Sequence, residues 1–395
     1  MPGPRRIAAV ALALVVALVA LAAPRPAPAA PPIARAAQMP LPVLPTPNDP
    51  GQIGTPGGWR ELQWNFLADR YGIDVEPAWA RLAALGRPGA KGIVVAVLDT
   101  GVAYANHGKF RRSPDLVGTS FAPGYDFVDD DPYPDDHNGH GTHVASTIAE
   151  RTNNGIGVTG IAYEATIMPV RVLDSRGEGD AKVIARGVRF ASRHGADVIN
   201  LSLEFPVEVR AKDIRPLLRA IKAAHDRGAV IVGASGNEAG KVVTYPARAP
   251  QVIATAATTE HGCLSDFSNE GRGLDVSAPG GGADADLPDD PRCLPTEPPG
   301  LDIYQMTFIN RNPRVFGLPG GYEGTSMAAP HVSGVVALIL ASGVLGRNPS
   351  PDDVLARLKQ TATDLGAPGY DRRYGAGLIN ANRATDPAIP FRSSG

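Results

Sequence analysis

The fold class of this chain follows from one segment, Ile93-Val94-Val95-Ala96-Val97-Leu98-Asp99-Thr100-Gly101. Six consecutive apolar residues predict a strand that is buried on both faces, as in a parallel sheet covered on two sides. Asp99 follows at the carboxyl end of that strand, directly before a glycine turn. A buried carboxylate is costly without a partner, so Asp99 is either a turn-forming residue or a member of a site.

The rest of the chain repeats this pattern. Further apolar strands are predicted over residues 167–173, 197–201, 229–232 and 252–256. Helices are predicted over residues 73–85, 143–149, 181–194, 213–227, 332–340 and 351–361. Buried strands that alternate with helices predict an α/β fold, with three layers (α/β/α) around a mostly parallel central sheet. In such folds, ligands bind at the carboxyl ends of the strands.

Composition and charge restrict the partners. The chain has 395 residues, of which 43% are hydrophobic, so it can bury a large core. Its 38 basic and 40 acidic residues leave a formal charge of −2. This balance predicts neither nucleic acid nor an anionic membrane as the main partner, and we expect a monomer.

The N-terminus has the pattern of an export signal. Arg5 and Arg6 precede an apolar run over residues 7–23, and Ala27-Pro28-Ala29 follows. This predicts a signal peptide over residues 1–30 and a secreted protein, with an uncleaved membrane anchor as the alternative. Residues 31–60 are rich in Pro, Ala and Gly and predict an extended, poorly ordered arm.

The chain has two cysteines, Cys263 and Cys293. In an exported protein they predict a disulfide that closes a loop of roughly 30 residues and stabilises the fold by about 3 kcal/mol. Two unrelated buried thiols are the alternative. Two cysteines without a histidine pair at ligand spacing do not predict a zinc site.

Three polar residues in glycine-rich turns are candidates to join Asp99. His140 lies in Asn138-Gly139-His140-Gly141-Thr142-His143, where flanking glycines let the ring face an open cleft; a metal-binding histidine pair is the alternative. Asn237 follows the strand that ends in Ala234-Ser235-Gly236, and alone it is an ordinary turn residue. Ser326 lies at a predicted helix start, where capping is the alternative role.

Together these residues indicate nucleophilic catalysis. Each occupies a turn at one edge of the predicted sheet. An imidazole can take the proton of a serine hydroxyl, an aspartate can orient that imidazole, and an amide can donate to an oxyanion.

At these residues the chain resembles the subtilisin-like serine peptidases, over about residues 63–381. The resemblance implies an endopeptidase domain over residues 61–395, with an irregular Pro-rich excursion at residues 280–321. It implies that protein or peptide substrates are cleaved by a catalytic set of Asp99, His140, Ser326 and Asn237. His143 and His331 match positions near this set for which packing roles are implied.

The resemblance also implies a substrate groove. Leu201-Ser202-Leu203 resembles an exposed edge strand that pairs with substrate backbone. The implied walls, rim and base of the primary pocket are Ala234, Ser235, Gly236, Glu238 and Thr244. Glu204 occupies a position where glycine is usual. We therefore expect tolerance of, or mild preference for, a basic or polar residue at P1, the substrate position before the scissile bond.

Structural calcium is the one cofactor implied, with none in catalysis. An aspartate-rich loop resembles a calcium loop of thermitase-like members and implies Asp126, Asp129, Asp131 and Asp135 as ligands; a solvated acidic loop is the alternative. A second site, whose loop is one residue longer than usual, is implied at Asp115, Asn154, Ile156 and Val158.

Two other functions remain open, a catalytically inactive binding protein and an esterase. The first is disfavoured because no catalytic position is substituted, and the second because no Gly-x-Ser-x-Gly motif is present. Residues 24–58 have the wrong composition for the folded propeptide that secreted subtilisins carry.

Overall fold

The structure, a computed structural model, describes residues 44–296 and 298–391. The predicted signal peptide and residues 31–43 of the predicted arm lie outside the described residues.

A parallel sheet forms the middle layer. Its strands are β1 (Val94–Asp99), β2 (Ser120–Phe121), β3 (Tyr125–Asp126), β4 (Thr166–Arg171), β5 (Val198–Leu201), β6 (Val230–Ala234), β7 (Ile253–Thr258) and β8 (Val276–Pro279). Their spatial order is β2-β4-β1-β5-β6-β7-β8, with β3 also paired to β4, and the pairings are parallel. The predicted parallel sheet is confirmed.

Helices cover both faces of the sheet. They are α1 (Trp59–Leu62), α2 (Glu76–Ala84), α3 (His140–Ala149), α4 (Ala181–Arg193), α5 (Arg215–His225), α6 (Thr325–Ser342), α7 (Pro351–Thr361) and α8 (Ala381–Thr385). Side chains of β1 alternate between the two faces, as the pleat requires. Val95 and Val97 pack with α3 and α6, whereas Ala96 and Leu98 pack with α4 and α5. The three-layer α/β/α prediction is therefore confirmed.

Helix α6 runs through the core, and its 18 residues exceed the predicted range at both ends. Among the helices of the described residues, α6 is the one long and apolar enough to cross a membrane. However, 89% of it is buried inside the protein. A core helix of a globular fold has this burial.

The predicted arm differs from expectation at its end. Asp49 is fully buried and accepts hydrogen bonds from the backbone N–H groups of Asn153 and Asn154 at 2.8 and 3.0 Å. Trp59, at the start of α1, is also fully buried. Residues 49–60 are thus held by specific contacts, and the prediction of poor order is wrong for them.

The excursion at residues 280–321 also contains regular structure. Two short strands, β9 (Thr307–Phe308) and β10 (Phe316–Gly317), form an antiparallel pair. The Thr307 hydroxyl donates to the carbonyl of Gly139 at 2.5 Å, which fixes the excursion to the start of α3. Cys293 of the excursion forms the predicted disulfide with Cys263.

Candidate active site

Asp99 and His140 form the centre of the site. Asp99 ends β1 and is fully buried, and its Oδ1 lies 2.7 Å from Nδ1 of His140. Burial lowers the pKa of His140, but the adjacent carboxylate outweighs this, so the net pKa is raised. A Cβ on Gly141 would lie 2.1 Å from the carbonyl oxygen of Gly101, so only glycine allows this close approach.

Asp136, which was not among the predicted site residues, holds the turn before α3. Its Oδ1 accepts hydrogen bonds from the backbone N–H groups of Asn138 and Gly139, both at 2.9 Å. Its Oδ2 accepts from the N–H and the hydroxyl of Thr142 at 2.9 and 2.6 Å. An aspartate two residues before Asn-Gly is a recognisable turn signal. Through this turn, Asp136 positions His140.

Ser326 is the second residue of α6, and the residue that caps the helix is Gly324. The capping alternative for Ser326 is therefore wrong. Its hydroxyl donates to the carbonyl of Ser202 at 3.3 Å. Pro330 lacks the N–H that would bind the Ser326 carbonyl within the helix, and the Ser202 hydroxyl donates to that carbonyl instead, at 2.8 Å. These contacts fix the start of α6 to the carboxyl end of β5.

Asn237 also contacts the start of α6. Its Oδ1 accepts hydrogen bonds from the N–H and hydroxyl of Thr325 at 2.7 and 3.0 Å. The amide nitrogen, Nδ2, donates to Oε1 of Glu204 at 3.1 Å. With Oδ1 engaged, Nδ2 is the atom that can donate to an oxyanion beside Ser326.

The Ser326 hydroxyl makes its described bond to Ser202 and not to the imidazole of His140. Hydrogen bonds of this kind are often formed only once substrate is bound. Asp99 and the Ser326–Ser202 contact lie at the carboxyl ends of neighbouring strands, β1 and β5. The arrangement contains a nucleophile, a base with an orienting carboxylate, and an amide donor, which together suit acyl transfer.

The two further histidines singled out from the sequence, His143 and His331, are buried and bonded to backbone carbonyls. His143 Nε2 lies 2.8 Å from the carbonyl oxygen of Ile303, and His331 Nδ1 lies 2.8 Å from that of Met327. Burial lowers the pKa of His143 to about 3 and that of His331 to about 4. Both stay neutral near pH 7, which fits packing roles.

The predicted groove residues lie at the ends of β5 and β6. Leu201 ends β5, an interior strand, and Ser202 and Leu203 continue beyond it. The expected exposed edge strand is therefore the extension of an interior strand, and all three side chains are buried. The remaining predicted pocket residues are Ala234, Ser235, Gly236 and Thr244, which are buried, and Glu238, which is exposed.

The aspartate-rich loop does not fit calcium as it is arranged. Asp126 and Asp129 both bind Nη1 of Arg171 at 2.6 Å. Asp135 faces His107 at 2.7 Å, and Asp131 accepts the N–H of Tyr133 at 2.8 Å. The four carboxylates thus do not converge, because a protein cation neutralises two of them and local contacts take the others.

The second predicted calcium region fits a cation better. Asp115 accepts hydrogen bonds from Nδ2 of Asn154 at 2.7 Å and from the N–H of Val158 at 3.1 Å. The Asn154 amide oxygen in turn accepts the N–H of Ile156 at 2.8 Å.

Two further carboxylates, both missed by the sequence analysis, lie near Asp115. Asp49 and Glu150 are buried, and the Glu150 carboxyl group contacts that of Asp115. Burial raises the pKa of Asp115 to about 7 and also raises those of Glu150 and Asp49. Within the described residues, no group of three or more His, Cys, Asp or Glu side chains is arranged to bind a metal ion. A cation here would therefore also need carbonyl oxygens.

Sequence comparisons identify related proteins. The sequence model of the subtilase family matches residues 90–377. M-protease of Shouchella clausii is 38% identical over 299 residues, which are 74% of this chain and 64% of that protein. Subtilisin Savinase of Lederbergia lenta is 38% identical over 299 residues, covering 74% of this chain and 91% of that protein. The chain thus spans less than two thirds of the length of M-protease and most of the length of subtilisin Savinase.

Two other comparisons bear on fold and location. An "Extracellular protease" of Xanthomonas campestris is 35% identical over 367 residues, covering 83% of this chain and 56% of that protein. The solved structure of a protease from Pseudoalteromonas arctica superposes with a TM-score of 0.68 at 30% identity. That match covers 86% of this chain and 99% of the other.

Proposed function

The chain belongs to the subtilase family of serine endopeptidases, and from this premise we propose that it hydrolyses peptide bonds in proteins outside the cell. The observation that carries the proposal is the 2.7 Å contact between buried Asp99 and His140. Asp99 ends β1, and Ser326 of α6 contacts Ser202, which follows the neighbouring strand β5. Export is supported by the basic and apolar N-terminal sequence and by the extracellular relative.

The proposed reaction proceeds through an acyl-enzyme. The Ser326 oxygen forms a bond to the substrate carbonyl carbon as its proton passes to Nε2 of His140, and the carbonyl π electrons move onto oxygen. The amide of Asn237 and the backbone N–H of Ser326 donate to that oxyanion. The N–H of the second residue of a helix has no acceptor within the helix, so it is free for this role. His140 then protonates the leaving amine, and water releases the acid by the reverse route.

We also propose a structural calcium ion at the buried carboxylates. Asp49, Asp115 and Asn154, with carbonyl oxygens of Ile156 and Val158, would hold it, and its charge would stabilise the buried anions. Support comes from the burial of Asp49 and Asp115, neither of which has a lysine or arginine among its described ion-pair partners. The proposal does not extend to the aspartate-rich loop.

One experiment separates the candidate functions. Wild type and Ser326→Ala are treated with a fluorophosphonate probe and, separately, with casein. We expect labelling and casein digestion by the wild type only. Labelling of the wild type without digestion indicates an esterase. Absence of labelling in folded wild type indicates a binding protein.

A further inference from the structure

Glu204 connects the proposed P1 pocket to the oxyanion donor. Its Oε2 accepts the backbone N–H of Asn237 at 2.9 Å, and its Oε1 accepts the side-chain Nδ2–H at 3.1 Å. A Cβ on Gly236 would lie 2.6 Å from Oε2, so the carboxylate lies directly against this wall of the pocket. One side chain thus contacts both the specificity pocket and the donor that polarises the scissile carbonyl.

The carboxylate of Glu204 is half-buried and has no cationic partner among the ion pairs of the described residues. The charged neighbour that acts on it is Glu238, another acid, and burial raises the pKa of Glu204. Asn237 does not need Glu204 for its orientation, because Thr325 already holds its Oδ1 with two hydrogen bonds. A structural role for Glu204 in orienting Asn237 is therefore largely redundant.

An anion in this place opposes catalysis of neutral substrates. In the acylation step, negative charge develops on the carbonyl oxygen beside Nδ2 of Asn237. A carboxylate bonded to the same amide group repels that charge and weakens the donor, because like charges a few ångströms apart disfavour each other. A cation close to Glu204 would remove this penalty.

We infer that Glu204 determines P1 specificity by coupling the charge of the P1 side chain to stabilisation of the oxyanion. The inference rests on the proposed peptidase function and names its preferred substrates as those with Lys or Arg at P1. The Glu204 carboxylate lies against Gly236 in the proposed P1 pocket, so a basic P1 side chain bound there would pair with it. Neutralisation of Glu204 by the P1 cation matters most in the transition state, where the oxyanion is charged. It therefore raises kcat as well as affinity.

The test compares two peptide amides that differ only at P1, with Arg or Leu. Wild type and Glu204→Gln are assayed at steady state, with active enzyme counted by fluorophosphonate titration. For the wild type we expect kcat with P1 Arg to exceed kcat with P1 Leu by about tenfold, equivalent to about 1.4 kcal/mol. In Glu204→Gln the ratio falls to about one, chiefly because kcat for the Leu peptide rises.

Glu238→Gln is the matched control. It removes one negative charge from the residue next to Asn237, and Glu238, unlike Glu204, has no described hydrogen bond to the Asn237 side chain. We expect it to change KM for the Arg peptide and to keep the kcat ratio within twofold of wild type. Glu204→Gly, which removes the carboxylate by another route, should match Glu204→Gln and serves if that variant fails to fold.

Two results overturn the inference and leave the proposed function intact. One is an equal kcat for both peptides in the wild type. The other is a loss of preference in Glu204→Gln that occurs in KM alone, which would make Glu204 an ordinary charge in the pocket. A folded wild type that cleaves neither peptide and resists the probe would instead contradict the proposed function.

Discussion

Two regions of this protein bury carboxylates, and the groups that lie next to these carboxylates differ between the two regions. In the cleft, Asp99 is fully buried and has the imidazole of His140 at 2.7 Å. Beside the N-terminal segment, Asp49, Asp115 and Glu150 are buried with no lysine or arginine among their described ion-pair partners. A buried charge needs compensation: in the first region an adjacent imidazole supplies it, whereas the second is where we propose a calcium ion. Changes in the cleft should therefore affect rate, and changes in the second region should affect stability.

The largest effect is expected from Ser326→Ala. Loss of the nucleophile lowers kcat by about 10⁶-fold, the size measured for serine peptidases with this triad. Because Ser326 is half-buried and its hydroxyl makes one long bond of 3.3 Å, the midpoint of thermal unfolding should stay close to that of the wild type. Peptide-amide hydrolysis and calorimetry measure the two quantities. A decrease of the unfolding midpoint by more than a few degrees would show that Ser326 also contributes to stability, against the role proposed here.

The next largest effect is expected from Asp99→Asn. The amide keeps the shape of the side chain but presents the wrong hydrogen-bonding group to Nδ1 of His140, and kcat falls about 10⁴-fold, as in related triads. The measurement is single-turnover acylation, with Asp136→Asn as a comparison. Asp136 acts through backbone bonds of the turn before α3, so its variant should lose more stability and less rate. The reverse ranking of the two variants would contradict the roles assigned to them.

The contact between Asp99 and His140 could be anticipated from the sequence because its signals are local. Asp99 follows an apolar strand, and His140 lies in a distinctive glycine-rich turn. The roles of Asp49 and Glu150 depend on contacts across more than 100 residues, such as the 2.8 Å bond between Asp49 and the N–H of Asn153. No local pattern carries that information. The β9–β10 hairpin was missed for the same reason, since its strands have two residues each.

Removal of calcium should lower stability without changing the chemistry. A bound ion at 100 times its dissociation constant stabilises a protein by about 2.7 kcal/mol, which for a chain of this size corresponds to roughly 4 °C in the unfolding midpoint. We expect EGTA to lower the midpoint of the wild type by this amount, while kcat at 25 °C is unchanged. In Asp115→Asn the EGTA effect should vanish. The matched control is Asp129→Asn in the aspartate-rich loop, which should keep the full EGTA-induced decrease of the unfolding midpoint. If EGTA has no effect on this variant, calcium binds in the aspartate-rich loop instead.

The smallest effect expected is a shift in the pH profile of Asp99→Asn. This shift compares the effects of burial and of the Asp99 carboxylate on the pKa of His140. Catalysis requires neutral His140, so kcat/KM falls as pH drops through its pKa. Burial lowers that pKa, and the carboxylate of Asp99 outweighs burial and raises it. In Asp99→Asn the burial effect remains without the carboxylate, so the acid limb of the residual activity should move to lower pH. The measurement is kcat/KM from pH 5 to 9 for both proteins. An acid limb at the same pH in both would mean that Asp99 orients the imidazole without setting its charge.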